Sequence, residues 1–283
     1  MGVIYMLLAS ASFATMSALV KLVGTAIPIQ ELIFLRCILA LPFFCCYLIY
    51  QNKPLVVKAR KTVAVRSLFG FCAMIGFYYA LTHMGLADCI FLGRIQPLFI
   101  ALLAPFILGE KTPRSAWLAI TTGLIGVALI MKPALVDWPI AAWVALGAAL
   151  AGACAHLMVR RLNRTDTPGA IVLNFLVLTA LASGCWTLPF WHNPSLRQWL
   201  AICGIALFAS LGQSLMTMAY RLDRAPAVAA ASYSSIILSL FYGYFFWGES
   251  PHGLVWLGGV LIICGGALLV KSRIKVSEPA RIR

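Results

Sequence analysis

Residues 106–132 read FILGEKTPRSAWLAITTGLIGVALIMK, and residues 245–271, 139 positions later and without a gap, read FFWGESPHGLVWLGGVLIICGGALLVK. Gly109-Glu110 falls on Gly248-Glu249, Trp117-Leu118 on Trp256-Leu257, Gly126 on Gly265, Ala128-Leu129 on Ala267-Leu268 and Lys132 on Lys271. The register extends back to Ala80 and Ala219. Apolar segments share Ala and Leu by chance, so the weight falls on two Gly-Glu pairs, each followed seven residues later by Trp. This spacing predicts an internal duplication of the kind that builds many transporters.

The surroundings of the two stretches say which solvent they meet. Of 283 residues, 62% are hydrophobic and 11% charged, against roughly 45–50% apolar and 25% charged in a soluble domain. Apolar segments recur over residues 3–22, 32–50, 66–82, 87–108, 115–132, 139–159, 169–189, 198–219, 226–247 and 253–271. Several exceed the ~18 residues that separate a bilayer-spanning helix from a buried core helix. They are continuously apolar and about twice the ~10 residues of a barrel strand, so the spans are predicted as helices, which satisfy their own backbone in lipid. The first segment has no preceding Lys or Arg and runs into Lys21 and a second span, so it is read as a retained span rather than a signal peptide. The cysteines, Cys37, Cys45, Cys46, Cys72, Cys89, Cys154, Cys185, Cys203 and Cys264, are odd in number, fall within spans and lack CxxC spacing. They read as small apolar fillers, with no disulfide, metal site or cofactor implied.

Five spans per half is an odd number, so the second half enters the membrane from the opposite side. The predicted fold is therefore an all-α integral membrane protein: ten transmembrane helices as two inverted five-helix repeats around a central cavity. The first repeat is residues 1–135, the second 136–272, and 273–283 form a basic tail.

A net charge of +14 invites a nucleic-acid partner, but the basic residues are scattered over short loops. Alternate loops gather most of them on one side: Lys53, Lys58, Arg60, Lys61 and Arg66; Lys111 and Arg114; Arg160, Arg161 and Arg164; Arg221 and Arg224; and the tail from Lys271. The other side holds only Lys21, Lys132 and Arg197. The basic side is read as cytoplasmic, with both termini inside and the bacterial inner membrane as the location.

At this point the chain resembles a known family. Two five-helix halves, the segment FYYALTHMGLADCIFLGRIQPLFIALLAPFILGEK at 77–111 and GLIGVALI at 123–130 are similar to the EamA-type permeases of the drug/metabolite transporter superfamily. The aromatic run Phe77-Tyr78-Tyr79 before Ala80-Leu81, the Pro97-Leu98-Phe99 of the fourth span and its Leu108-Gly109-Glu110 exit carry the likeness. The second copy departs from it, with Ile236 for the proline and Ser250 after Gly-Glu. The resemblance implies ten helices around a central cavity and carriage of metabolites such as amino acids or nucleotide-like compounds, without naming one.

Two arginines, Arg36 and Arg94, lie inside spans, at depths of about 6 and 10 Å from the outer surface at ~1.5 Å per residue. Arg36 either snorkels to that surface or faces the cavity; Arg94 lies deeper and either pairs with Glu31 or Asp88 or offers its guanidinium fork to an anionic substrate. On the second reading Arg94→Ala abolishes uptake. Gln96 and the helix-breaking Pro97 follow, and Tyr78, Tyr79, Asn174, Gln213 and Tyr233 are further polar or aromatic groups that either bind substrate or pack helices. No Asp or Glu sits deep in a span, which leaves His156, Glu31 and Asp88 as candidates for gating or coupling. The Gly-Glu exits read first as helix caps. Gly258, Gly259, Gly265 and Gly266 suit close helix packing or a homodimer face.

No HExxH, paired intramembrane aspartates or Ser with His at reactive depth suggests an enzyme. The expected activity is secondary transport of a small polar metabolite, an amino acid, a derivative such as S-adenosylmethionine or a related anion. A lipid or polyprenyl-carrier flippase and a non-transporting scaffold are the rivals.

Overall fold

The computed structural model describes residues 1–93, 95–109, 114–130 and 140–249, and residues 253, 254, 256–258, 260, 261 and 264 beyond them. Among these residues the chain is helical, without strands. The helices are α1 (Gly2–Val23), α2 (Ile29–Tyr50), α3 (Arg60–His83), α4 (Leu86–Gly93), α5 (Gln96–Leu108), α6 (Arg114–Ile130), α7 (Ile140–Leu162), α8 (Pro168–Thr187), α9 (Leu196–Leu222), α10 (Ala225–Ala231) and α11 (Ser235–Trp247).

Six of them, α1, α2, α3, α7, α8 with its following turn, and α9, are long and apolar enough to cross a membrane. Several of their hydroxyls are absorbed locally: Ser10 donates to the Met6 carbonyl at 2.7 Å, Ser17 to that of Phe13 at 2.8 Å and Ser183 to that of Thr179 at 2.7 Å. Such back-bonding lets a polar side chain sit in an apolar helix without an unmet donor. Large apolar side chains remain on the outside, among them Phe43, Phe106, Trp143, Leu181 and Phe245. An apolar exterior of this kind belongs against lipid.

Two expected spans are broken. The fourth, read as 87–108, is α4 and α5, and the ninth, read as 226–247, is α10, a 3-10 turn at Ser232–Ser234, and α11. Pro97 stands in the first turn of α5, where its missing N–H leaves no intrahelical bond unmade. The second break occurs without a proline, Ile236 holding that position. Both α5 and α11 end as their sequences predict, on a glycine in the left-handed region: Gly109 at φ 68° and Gly248 at φ 63°. The third span begins earlier than its hydropathy suggests, at Arg60 instead of residue 66. Much of the tenth span and all of the basic tail lie outside the described residues.

The element bounds of α1 to α5 recur, within a few residues, at α7 to α11 when 139 is added. Packing follows the same rule. The pairs α1 with α9, α3 with α7 and α2 with α8 hold the bundle together, joined by α5 on α7, α11 on α1, α10 on α5 and α4 on α11. Exchanging each helix for its counterpart 139 residues away maps this set onto itself. Small residues make the seams close: a Cβ placed on Gly212 would stand 2.8 Å from the Phe13 ring, and one on Gly76 3.0 Å from Ala148 Cβ.

Candidate functional site

At the centre of the bundle is a cavity of about 190 Å³. Its walls come from α1, α3 and α7, with single contributions from α2, α8 and α9 and the broken ends of the two interrupted helices: Gly93 and Gln96, Ser232 and Ser235. Many of the lining positions fall in pairs separated by 139, such as Met6 and Ala145, Ser17 and His156, Arg36 and Phe175, Met74 and Gln213, Gln96 and Ser235. The chemistry of the paired positions differs. Both arginines come from the first half, whereas α7 contributes chiefly alanines and Gly152.

Arg36 is 3% exposed, so it does not snorkel. Its Nη1 donates to the Tyr78 hydroxyl at 3.1 Å and lies 3.7 Å from Met16 Sδ, while the same hydroxyl lies 3.6 Å from that sulfur. Nε and Nη2 find no partner among the described residues. Arg66 was expected in a cytoplasmic loop, where it would serve topology; instead it is 2% exposed and lines the cavity. Its Nη2 donates to Gln213 Oε1 at 3.1 Å, and its guanidinium carbon sits 3.4 Å from the centre of the Phe175 ring. Gly70, one turn along α3, gives it room, since a Cβ there would be 2.5 Å from Arg66 Nη1 and 2.9 Å from Phe175 Cε2. Nε and Nη1 again have no partner among the described residues.

Magnitudes separate the two. A charged residue near a span centre costs about 2.5–3.5 kcal/mol on insertion scales. For Arg66 a desolvated cation–π contact, ~2 kcal/mol, and a hydrogen bond to a charged group, ~1.5–3 kcal/mol, offset that cost. Arg36 has one such hydrogen bond and a sulfur contact, so it is the less compensated of the pair.

Gln96 and His156 form a second polar group on the wall. Gln96 Nε2 donates to His156 Nδ1 at 2.9 Å, and the Tyr220 hydroxyl lies 3.1 Å from the same nitrogen. His156 thus faces the cavity from α7.

Other expected residues lie elsewhere. Tyr79 stacks on His83, ring centres 4.0 Å apart, and Asn174 Nδ2 donates to the carbonyls of Leu55 at 2.6 Å and Ala170 at 2.8 Å. Neither lines the cavity: helical spacing turns Tyr79 away from the Tyr78 face, and Asn174 ties α8 to the chain after α2. Glu31 is buried, with Oε2 accepting from the His192 backbone N–H at 3.0 Å. Pro97 is buried at the start of α5. Arg94 lies outside the described residues, as do the side chains of Asp88 and Tyr233.

One cluster escaped the sequence reading. Glu249 Oε1 accepts from Lys21 Nζ and from the Leu86 N–H, the latter at 3.0 Å, and Lys21 also lies 5.2 Å from the Trp247 ring centre. A single carboxylate thus joins the ends of α1, α4 and α11 at one end of the bundle. Its Gly-Glu context explains a cap, and only the fold brings Lys21 beside it.

The profile of the EamA-like transporter family matches the chain over residues 1–132 and again over 139–271. The chain belongs to that family. This EamA-family protein is 31% identical to the pseudopaline exporter CntI of Pseudomonas aeruginosa, over 97% of its own length and 96% of the relative's. It is 24% identical to an S-adenosylmethionine uptake transporter of Rickettsia prowazekii, over 97% and 94% of the two chains. A riboflavin transporter of Vibrio cholerae is 29% identical over 66% of this chain and 63% of that one. A solved crystal structure shares the fold with a TM-score of 0.77 over 98% of both chains at 16% identity. The protein is a multi-pass membrane transporter of a family whose members move small molecules.

Proposed function

We propose that this EamA-family protein carries a small polar metabolite with a negative group across the inner membrane by alternating access. It does so with ten spans in two inverted repeats, 1–135 and 136–272, and with the termini and the 273–283 tail in the cytoplasm. The observation that carries the reading is the central cavity with two buried arginines, Arg36 and Arg66, flanked by the breaks in two helices. Interrupted helices meeting at a repeat interface are a recurring transporter binding site. Relatives named for pseudopaline, S-adenosylmethionine and riboflavin support a small-molecule cargo, and their names include both export and uptake. Amino acids, amino-acid derivatives and related anions fit the polarity of the wall. The Lys21–Glu249 contact serves as a latch on the outer face, closed when the cavity opens inward.

Counterflow in proteoliposomes tests this, with labelled amino acids, nucleosides, S-adenosylmethionine and organic anions and with Arg36→Gln and Arg66→Gln beside wild type. Saturable flux that disappears in monodisperse variants is the expected result. Absence of flux for every solute with well-folded wild type would refute it.

One observation favours the flippase reading. A second cavity, of about 900 Å³, opens between α2, α8 and α9, lined by Phe43, Tyr47 and Leu207 and carrying Lys53 and Arg221. Such a groove suits an acyl chain with an anionic head. Transbilayer movement of a labelled phospholipid, abolished by Leu207→Trp, would carry that reading instead.

A further inference from the structure

We infer that the solute taken by the central cavity carries at least two anionic groups on one chain, one for Arg36 and one for Arg66; this rests on the transport reading above. No Asp or Glu lines the cavity among the described residues. Two permanent cations therefore share one low-dielectric space, each nearly inaccessible and each with unpartnered N–H donors among the described residues. Guanidinium stays charged in proteins, so neither can resolve the arrangement by losing a proton.

The two heads are held apart by different elements. Arg66 reaches up α3 to the level of Gly70, held by Phe175 and Gln213. Arg36 is held at Tyr78, eight residues further along α3, and at ~1.5 Å per residue the two levels lie about 12 Å apart along the helix axis. Charge-assisted contacts of about 2.8 Å at each end leave roughly 6 Å between the two anionic groups. That is the span of the carboxylates in glutarate, adipate or citrate, and too long for the oxygens of a single phosphate. One anion could meet one guanidinium but would leave the other uncompensated. The asymmetry of the repeats points the same way: the positions 139 residues from Arg36 and Arg66 are Phe175 and Ile205, so the paired charge belongs to one half alone.

The test uses the full-length protein in detergent and follows its unfolding temperature. Sodium glutarate, citrate, butyrate, glutamine and phosphate are compared at matched ionic strength. Glutarate and citrate should raise the unfolding temperature in a saturable way. Butyrate, glutamine and phosphate should need at least tenfold higher concentration for the same shift. Arg36→Gln and Arg66→Gln should each weaken the dicarboxylate response tenfold or more, and Arg36→Lys and Arg66→Lys, which keep the charge, should restore part of it. The inference is overturned if butyrate or phosphate matches glutarate, if both Gln variants respond as wild type does, or if neither glutarate nor citrate shifts the transition. Counterflow separates its failure from that of the transport reading. Flux of a monoanion that needs only Arg36 leaves a carrier without the two-anion site, and absence of all flux removes the carrier whatever the binding shows.

Discussion

Replacing Glu249 by Gln should open the cavity on the side that Lys21 closes. Glu249 Oε1 receives both Lys21 Nζ and the Leu86 N–H, with the two side chains 14% and 25% exposed. An amide keeps an acceptor for Leu86 but loses the ion pair. A hydrogen bond between charged groups contributes about 1.5–3 kcal/mol when buried, and exposed pairs about 0–1 kcal/mol, so partial exposure places this contact at about 1–2 kcal/mol. A contact present in only one of two conformations shifts their equilibrium by that amount, roughly 5- to 30-fold. The assay places a reporter at Ser17, which lines the cavity one turn before Lys21. In a background with the native cysteines replaced, Ser17→Cys is labelled from outside by a membrane-impermeant thiosulfonate. Glu249→Gln should raise the labelling rate by about the same 5- to 30-fold, and the exchange Lys21→Glu with Glu249→Lys should bring it back toward the parent. An unchanged rate, or an equal rise for reagent supplied from inside, would refute the latch.

Tyr78→Phe removes the one hydrogen bond from Arg36 to an oxygen among the described residues, about 1.5–3 kcal/mol, and should raise the counterflow KM by ten- to a hundredfold with the protein still monodisperse. Gly70→Ala puts a Cβ 2.5 Å from Arg66 Nη1 and should displace the guanidinium from Phe175, weakening solute binding as Arg66→Gln does. Asn174→Ala should act on stability alone: it loses a tie from α8 to the Leu55 carbonyl, ~1 kcal/mol in a melting experiment, with counterflow intact.

The helical, lipid-facing character of the chain was legible because it is carried by long apolar runs, and the doubling because Gly-Glu and Trp repeat in register. Arg66 was not. A hydropathy window stops at the first cation it meets, and counting loop charges then assigns that cation a topological role. Whether the arginine turns inward depends on Phe175 and Gln213, from helices more than a hundred positions away. The local hint was Gly70 at i+4, where a larger side chain would occupy the path of the guanidinium. Asn174 was open between a ligand group and a packing contact, and its backbone partners, Leu55 and Ala170, come only with the fold. The break in the ninth span was equally hidden, since no proline marks it; Pro97 announced its counterpart.

The duplicated scaffold and the unduplicated charges have different consequences. The seams run between the halves, and each maps onto itself or another when 139 is added, a scaffold that suits the alternating access proposed above. A cavity whose charges were repeated as well would hold an arginine at 175, adding uncompensated charge to the same space. With Phe175 in that place, the counterpart of one arginine becomes the ring on which the other rests. The second half therefore contributes the aromatic surface and the Gln213 acceptor that orient Arg66, and the first contributes the charge. If that division holds, Phe175→Leu should lower affinity through Arg66 while leaving its charge in place. A cation–π contact of ~2 kcal/mol corresponds to about thirtyfold in binding. An unchanged affinity in Phe175→Leu would mean that Gln213 alone fixes the guanidinium.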